Sequence, residues 1–281
     1  MNMTAHRAAV FLALLLSSSA SGEVIFSRRA YKEHGTSYQQ IWTWNPADGV
    51  LKALTHSPRD HYNPRCDGRI IKFTSPSPDI TEDVMLWSLN RTTGEEHIAG
   101  RAPEAREKPV SRTPSCDHFA KLGALEACGN EESLVVSRSG KPIGRFSIQV
   151  NTCPIDNHGT LGKCETPIRS LDWTKDGKWL LIGEEGLNDG SGQRQDDYYL
   201  INLTTMKLRT VASADTAFWL PGRDQIVYVT PQGLAPLRGG HGKHNVWVQQ
   251  LMFFDPAKGT PTAITSGLTN NVDASWCDGA R

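Results

Sequence analysis

The stretch Leu171-Asp172-Trp173-Thr174-Lys175-Asp176-Gly177-Lys178-Trp179-Leu180-Leu181-Ile182 decides the fold. A short segment runs into a tight Asp-Gly turn, where Gly accepts positive φ at little cost, and an apolar strand leaves it. The unit recurs. Asn63-Pro64-Arg65-Cys66-Asp67-Gly68-Arg69 precedes Ile70-Ile71-Lys72-Phe73. Phe218-Trp219-Leu220-Pro221-Gly222-Arg223-Asp224 precedes Gln225-Ile226-Val227-Tyr228-Val229. A degenerate copy, Pro114-Ser115-Cys116-Asp117, stands before His118-Phe119-Ala120, and the last copy is Ala274-Ser275-Trp276-Cys277-Asp278-Gly279.

A hairpin completes each unit. Ile41-Trp42-Thr43-Trp44 and Val50-Leu51-Lys52-Ala53-Leu54 flank Asn45-Pro46-Ala47-Asp48-Gly49. Val84 to Trp87 is followed by a turn from Asn90 to Gly94, Leu134 to Val136 by Ser139-Gly140, and Tyr198 to Ile201 by Asn202 to Thr205. A run from Val246 through Phe254 reads as one strand before Asp255 to Gly259. Aromatic and β-branched runs bounded by Gly, Pro, Asn and Asp are strand and hairpin signals. No segment sustains a 3.6-residue apolar period.

The turn positions Asp67, Asp117, Asp176, Gly222 and Asp278 are 50, 59, 46 and 56 residues apart, and the piece split between the two ends of the mature chain is 48 residues long. Four-stranded units of about 40–50 residues arranged radially make a β-propeller. The expected fold is all-β: a five-bladed β-propeller closed by strands from both termini, with Glu23-Val24-Ile25-Phe26-Ser27 supplying the strand that follows Cys277-Asp278-Gly279. A β-sandwich of about 20 short strands leaves the half-unit at each end unexplained.

The 281 residues hold 30 Lys+Arg and 30 Asp+Glu, for a net charge of zero, which speaks against a nucleic-acid partner. Hydrophobic content of 38% with eight Trp suits a folded core and excludes a disordered chain. Residues 1–22 read as a secretory signal: His6 and Arg7, an apolar run from Ala8 to Leu16, then small residues Ser17 to Gly22, with cleavage after Ala20 or Gly22. That apolar run is too short to span a bilayer, which takes about 20 residues. The expected organisation is thus a signal peptide, 1–22, and one propeller domain, 23–281, periplasmic or secreted, with no membrane span in the mature chain. Six Cys fit an oxidising compartment. Cys153 and Cys164, flanking a Gly/Asn-rich segment, are the expected disulfide, while the pairing of Cys66, Cys116, Cys128 and Cys277 stays open among the alternatives.

Leu54-Thr55-His56-Ser57-Pro58-Arg59-Asp60-His61-Tyr62-Asn63-Pro64 followed by Arg65 to Phe73 resembles the repeat of TolB-like propellers. There a leucine-threonine strand end leads through a short acidic loop and an Asn/Asp-Pro to a strand and an Asp-Gly-Lys/Arg turn. Ile264-Thr265-Ser266 through Asn271 to Gly279 repeats the pattern, and Ile168 to Ile182 does so without the acidic loop. The segment Pro109 to Val150 departs most, with no Trp and no Gly after Asp117. Family members often have six blades; five units are counted here. The resemblance implies an exported, non-catalytic module that binds another periplasmic or envelope protein or a peptide. Related propellers in peptidases and sugar lyases supply the alternative, an enzyme of lyase or hydrolase type acting on oligosaccharide or peptide at the channel mouth.

No Gly-x-Ser-x-Gly elbow is present. His241 and His244 in a Gly-rich loop, His158, and the oxygen-rich Asn188 to Gly192 with Asp196-Asp197 lack metal-site spacing, so no metal or cofactor is expected. Asp67, Asp176 and Asp278 are assigned to turns. The loops leading into each innermost strand converge on a propeller's mouth and are the default binding site. They carry Asp60, His61, Tyr62, Arg169, Asp215, Asn271 and Asp273 as candidate ligand-binding residues.

Overall fold

The computed structural model describes residues 22–77, 84–102, 116, 118–130, 133–147, 168–185, 196–239 and 242–279. These residues form strands and turns, with no helix among them. The first three strands are β1 (Gly22–Ala30), β2 (Gln39–Trp44) and β3 (Leu51–Ala53). A four-stranded antiparallel sheet follows from β4 (Tyr62–Asp67), β5 (Ile70–Pro76), β6 (Val84–Asn90) and β7 (Glu96–Arg101). The third sheet is β8 (His118–Leu122), β9 (Leu125–Asn130), β10 (Ser133–Arg138) and β11 (Lys141–Ser147). The fourth is β12 (Ile168–Trp173), β13 (Trp179–Glu185), β14 (Asp196–Asn202) and β15 (Lys207–Ala214). In the fifth, β16 (Thr216–Trp219) and β17 (Ile226–Val229) are separated from β20 (Leu251–Phe254) and β21 (Pro261–Ala263) by a two-stranded ribbon, β18 (Gly233–Gly239) and β19 (Gly242–Val248). Last, β22 (Thr269–Asp278) returns to pair with β1, so the first sheet runs β22-β1-β2-β3. Val24 stands opposite Trp276 and Ile25 opposite Ser275, as the complementary half-units require.

Two boundaries differ from the sequence reading. The third sheet turns at Gly123 (φ 58°), between β8 and β9, not at Asp117, so His118-Phe119-Ala120 belongs to the strand before the turn. Only glycine takes that φ freely, and at Gly68 and Gly177 it sits directly after Asp, which drew attention to Asp117. The run from Val246 to Phe254 is two strands, because β19 pairs with β18 while β20 pairs with β17.

The sheets pack through clusters of inward-facing residues. Ile25 and Ile41 of the first sheet meet Ile71, Phe73 and Leu89 of the second. Val24, Phe26, Trp44 and Ala274 meet Leu220, Val227, Val229 and Leu251 of the fifth, with Trp276 against the same cluster. Leu181, Tyr198 and Leu200 of the fourth meet Trp219, Ile226 and Tyr228 of the fifth. Ala127, Leu134 and Val136 of the third meet Ile168, Trp173 and Leu180 of the fourth. The packing order is therefore second, first, fifth, fourth, third.

Cys66 in β4 is bonded to Cys277 in β22, and Cys116 to Cys128 in β9. The first bond ties the innermost strands of two neighbouring sheets. Beside it, Arg91 donates to Glu23 (2.8 Å) and to the Asp278 carbonyl (3.1 Å), closing the same seam with an ion pair. The Cys153–Cys164 pairing, residues 1–21, His158, His241 and Asn188 to Gly192 lie outside the described residues.

Candidate functional site

Each sheet has a turn end, where the Asp-Gly turns lie, and a lead-in end, where its innermost strand begins. At the turn end the side chains serve the turns. Asp176 accepts from Thr174 Oγ1 (2.9 Å) and from the Lys178 N–H (3.0 Å), and Lys178 holds its carboxyl below the ordinary value. Asp67 pairs with Lys72 at 3.1 Å.

The lead-in end is built differently, because three innermost strands are irregular there. β22 carries an extra residue opposite Ile25 to Ser27, β4 one between Tyr62 and Arg65, and β12 one between Ile168 and Ser170. A bulge adds twist and re-aims a side chain, and bulges gather near functional sites. Asp273 (φ 56°) and Asn63 (φ 52°) occupy the left-handed region at two of them. That conformation costs a non-glycine residue roughly 1–3 kcal/mol and persists where its surroundings enforce it. Here the enforcement is mutual, since the Asn63 N–H donates to Asp273 Oδ2 at 2.9 Å across the two sheets. Arg169 is the inserted residue of β12, exposed and engaged with neighbours.

Charge collects around these bulges. Burial pushes the Asp273 carboxyl up, against the pull of the Asn63 N–H and Arg65. Asp215, at the start of β16, is open to water, yet desolvation first and then the Asp273 charge raise it too. The Tyr198 hydroxyl is pushed up to about 12 by burial and by Asp196, with Asp215 adding to the effect. Glu184, opposite Ile168, is raised to about 7 by burial and then by Asp197. The first and second sheets supply the cations. Arg29 donates to Asp60 Oδ2 at 2.6 Å and to the Tyr62 hydroxyl at 3.3 Å. Asp60 Oδ1 also accepts the Gln39 N–H at 2.6 Å, and Tyr62 donates to Asp60 Oδ2 at 3.1 Å. Burial, with Asp60 adding to it, raises the Tyr62 hydroxyl above its ordinary value.

Of the seven candidate residues, Asp273 and Asp215 are electrostatically coupled, and Asp60 and Tyr62 form one network through Arg29. His61 and Asn271 are turned inward, at 1% and 0% exposure. His61 Nε2 lies 2.6 Å from Ser57 Oγ, and its ring meets Phe73 edge-on at 4.7 Å. Desolvation lowers it to about 4, so it is neutral at pH 7. Its Nδ1 is unpaired, so no third group orients the ring as the carboxylate of a triad does. Asn271 Nδ2 donates to Thr265 Oγ1 and Thr269 Oγ1, each at 3.1 Å, and to the Gln249 carbonyl. Sequence reasoning did not single out Asn63, Arg29, Glu184 or Tyr198. The one available signal was Asn before Pro64, since Asn tolerates the left-handed region better than most residues.

Among the described residues no group of three or more His, Cys, Asp or Glu is placed to hold a metal ion, and no helix is long and apolar enough to cross a membrane.

No family model matches the chain, and no curated protein matches it. Solved structures do. The chain is similar to TolB from Acinetobacter baumannii, at 14% identity over 92% of this chain and 67% of that one, with a TM-score of 0.40. It is similar to the β-propeller domain of the Trilobed protease from Pyrococcus furiosus, described as having an open velcro topology (14% identity, 74% of this chain, 57% of that one, TM-score 0.29). It is also similar to the AtxE2 isopeptidase (11% identity, 86% of this chain, 38% of that one, TM-score 0.37). The chain spans between about two fifths and two thirds of the length of these proteins.

Proposed function

We propose that this protein is an exported, five-bladed β-propeller that binds a protein or peptide partner at its lead-in mouth and performs no chemistry of its own. In this reading the five sheets are blades, the sheet shared by β22 and β1 closes the ring, and residues 1–22 contain the signal. Of the two candidate cleavage points, Ala20 and Gly22, the pairing of Gly22 with Asp278 favours Ala20 in this reading. A Cβ at position 22 would lie 2.1 Å from the Trp276 ring, so this end of β1 is part of the packed domain. Two disulfides among the described cysteines suit an oxidising compartment such as the periplasm or the exterior. Cys153–Cys164 is proposed as a third, which peptide mapping without reductant tests; both thiols free would overturn it.

The observation that carries the binding reading is the Asn63–Asp273 contact. Two strained bulges from neighbouring sheets hold each other at the lead-in end, where the Asp273 charge also acts on Asp215 and Arg29, Asp60 and Tyr62 form a network. The arrangement fixes carboxylates and hydroxyls without supplying a nucleophile and base, since the Ser57–His61 pair is inward and the histidine weakly basic.

The test places a photo-reactive residue at Asp215 in the exported protein and assays the purified wild type against peptide and oligosaccharide panels. Adducts to one protein or peptide that disappear in Asp60→Asn, with no turnover of either panel, are expected. Turnover abolished by His61→Ala or Asp215→Asn would replace this reading with a propeller enzyme of hydrolase or lyase type.

A further inference from the structure

The ribbon β18–β19 is an addition to the fifth sheet, leaving after β17 and returning before β20 at the lead-in end. Its base is tied down: the Gln249 N–H donates to the Thr269 carbonyl (3.0 Å), Gln249 Nε2 to the Thr230 carbonyl (3.1 Å), and the Asn271 N–H to the Gln249 carbonyl (3.2 Å). Its two faces are unequal. Leu237 and Val246 point inward and are buried, and with His244 they wall a cavity of about 380 Å³ against Tyr31, Lys32 and His34. On the opposite face Leu234 is 58% exposed and Trp247 42% exposed, although the register sets them directly across from each other. The same register places Pro236 opposite Asn245 and Arg238 opposite Lys243.

We infer that the outward face of this ribbon is a second docking surface, for an acidic segment of a protein partner that also offers an apolar side chain. Charge fixes the sign. Residues 233–248 contain no Asp or Glu, and the register that sets Leu234 across from Trp247 also sets Arg238 across from Lys243. Cations in register across two strands destabilise a hairpin, a cost that a bound carboxylate offsets. Shape fixes the apolar part, because a large aromatic and an aliphatic chain held at the solvent face are typical anchors for a partner. The buried inner face keeps that surface in one orientation, so little ordering remains to be done on binding.

Pro236 removes a backbone N–H from β18, as edge strands do when strand addition is to be avoided. Along β18, recognition therefore runs through side chains rather than through an added strand. The gradient along the ribbon also separates a protein from a lipid surface. Leu234 and Trp247 sit at the base and Arg238 toward the tip, whereas insertion into a bilayer calls for apolar residues at the tip and cations nearer the body.

The experiment measures binding of the purified mature protein to three probes. These are a ten-residue peptide alternating Asp/Glu with Phe/Leu, the same peptide with Lys for each acid, and vesicles of phosphatidylglycerol with phosphatidylcholine. The acidic peptide is expected to bind at least tenfold tighter than the Lys version and to lose at least tenfold in both Arg238→Glu and Trp247→Ser. Both residues are exposed, and unchanged melting of the variants shows that they fold. Equal binding of the two peptides, or no loss in either variant, overturns the inference. Vesicle binding that the two variants abolish, without preference between the peptides, overturns it in favour of a lipid surface. The mouth reading is read out separately by the adducts at position 215, so either can fail alone.

Discussion

The chain passes from the first sheet to the second between β3 and β4, and from the fifth to the first between β21 and β22. The two passages correspond position for position at an offset of 210 residues. In one, the Ile41 N–H donates to Thr55 Oγ1 (2.9 Å) and Thr55 Oγ1 to Gln40 Oε1 (2.9 Å); in the other, the Leu251 N–H donates to Thr265 Oγ1 (2.9 Å) and Thr265 Oγ1 to Gln250 Oε1 (2.9 Å). The His61 N–H reaches the Gln39 carbonyl, and the Asn271 N–H the Gln249 carbonyl. Both passages end on a left-handed residue, Asn63 and Asp273. What differs is the cargo. Asp60-His61-Tyr62 stands where the other passage has Asn270-Asn271-Val272. A buried threonine hydroxyl, two glutamines and a bulge make the frame, and the three residues before the bulge vary without disturbing it.

The largest effect expected from this comparison comes from the bond that ties the two innermost strands beyond the bulges. Cys66–Cys277 closes a span of 211 residues, against 12 for Cys116–Cys128. In the chain-entropy account these are worth about 5 and about 3 kcal/mol. Cys66→Ala with Cys277→Ala should therefore lower the melting temperature well beyond the Cys116→Ala, Cys128→Ala pair, in melts without reductant. Equal losses would mean that the frames hold the seam without the bond.

The next effect lies in the cargo. His61 and Asn271 occupy equivalent positions, and only His61 titrates. Burial lowers its folded-state value to about 4, below the ordinary 6.5. The unfolded chain therefore binds the proton first, and the stabilisation is present above 6.5 and lost as pH falls through 4. Over that window the loss is about 3 kcal/mol. Glu184 works the other way: raised to about 7, it favours the fold below its unfolded value and loses that contribution as pH rises through 7. His61→Asn, which installs the residue of the other passage, should reduce the loss of stability between pH 6.5 and 4 in denaturant titrations. An unchanged pH profile would show that the ring binds its proton equally in the folded and unfolded states.

Much of this was legible in the sequence, because it depends on local chemistry. The Asp-Gly turns, the Leu54-Thr55 and Ile264-Thr265 strand ends and the apolar runs after Gly68 and Gly177 each declare themselves within a few residues. The pairing of β22 with β1 was legible as a length remainder. Other features depend on what packs beside a residue. Nothing in Val246 to Phe254 says that Trp247 faces solvent while Leu251 is fully buried; that follows from two different partner strands. Nor does His61, in a polar loop, announce that it is buried on Phe73. The third sheet misled because its turn, Leu122-Gly123-Ala124, lacks the Asp that precedes Gly68 and Gly177.

The smallest effect is the sharpest test of the equivalence itself. Thr55 and Thr265 are 0% and 2% exposed, and each hydroxyl accepts one backbone N–H and donates to one glutamine at the same distances. Thr→Val keeps the shape and removes the hydroxyl, leaving the Ile41 or Leu251 N–H and a glutamine oxygen to find other partners. An unsatisfied buried group costs about 1–3 kcal/mol. Thr55→Val and Thr265→Val should therefore each destabilise by about that amount, and nearly equally. The difference expected between them is small and has a known source: Thr265 Oγ1 also accepts Asn271 Nδ2 at 3.1 Å, whereas His61, in the equivalent position, bonds Ser57. Thr265→Val should thus be the costlier by a fraction of a kcal/mol, and Asn271→Ala should abolish that excess in a double-mutant cycle. Losses that differ by more than about 2 kcal/mol would break the correspondence, because each threonine hydroxyl has the same backbone donor and the same glutamine acceptor.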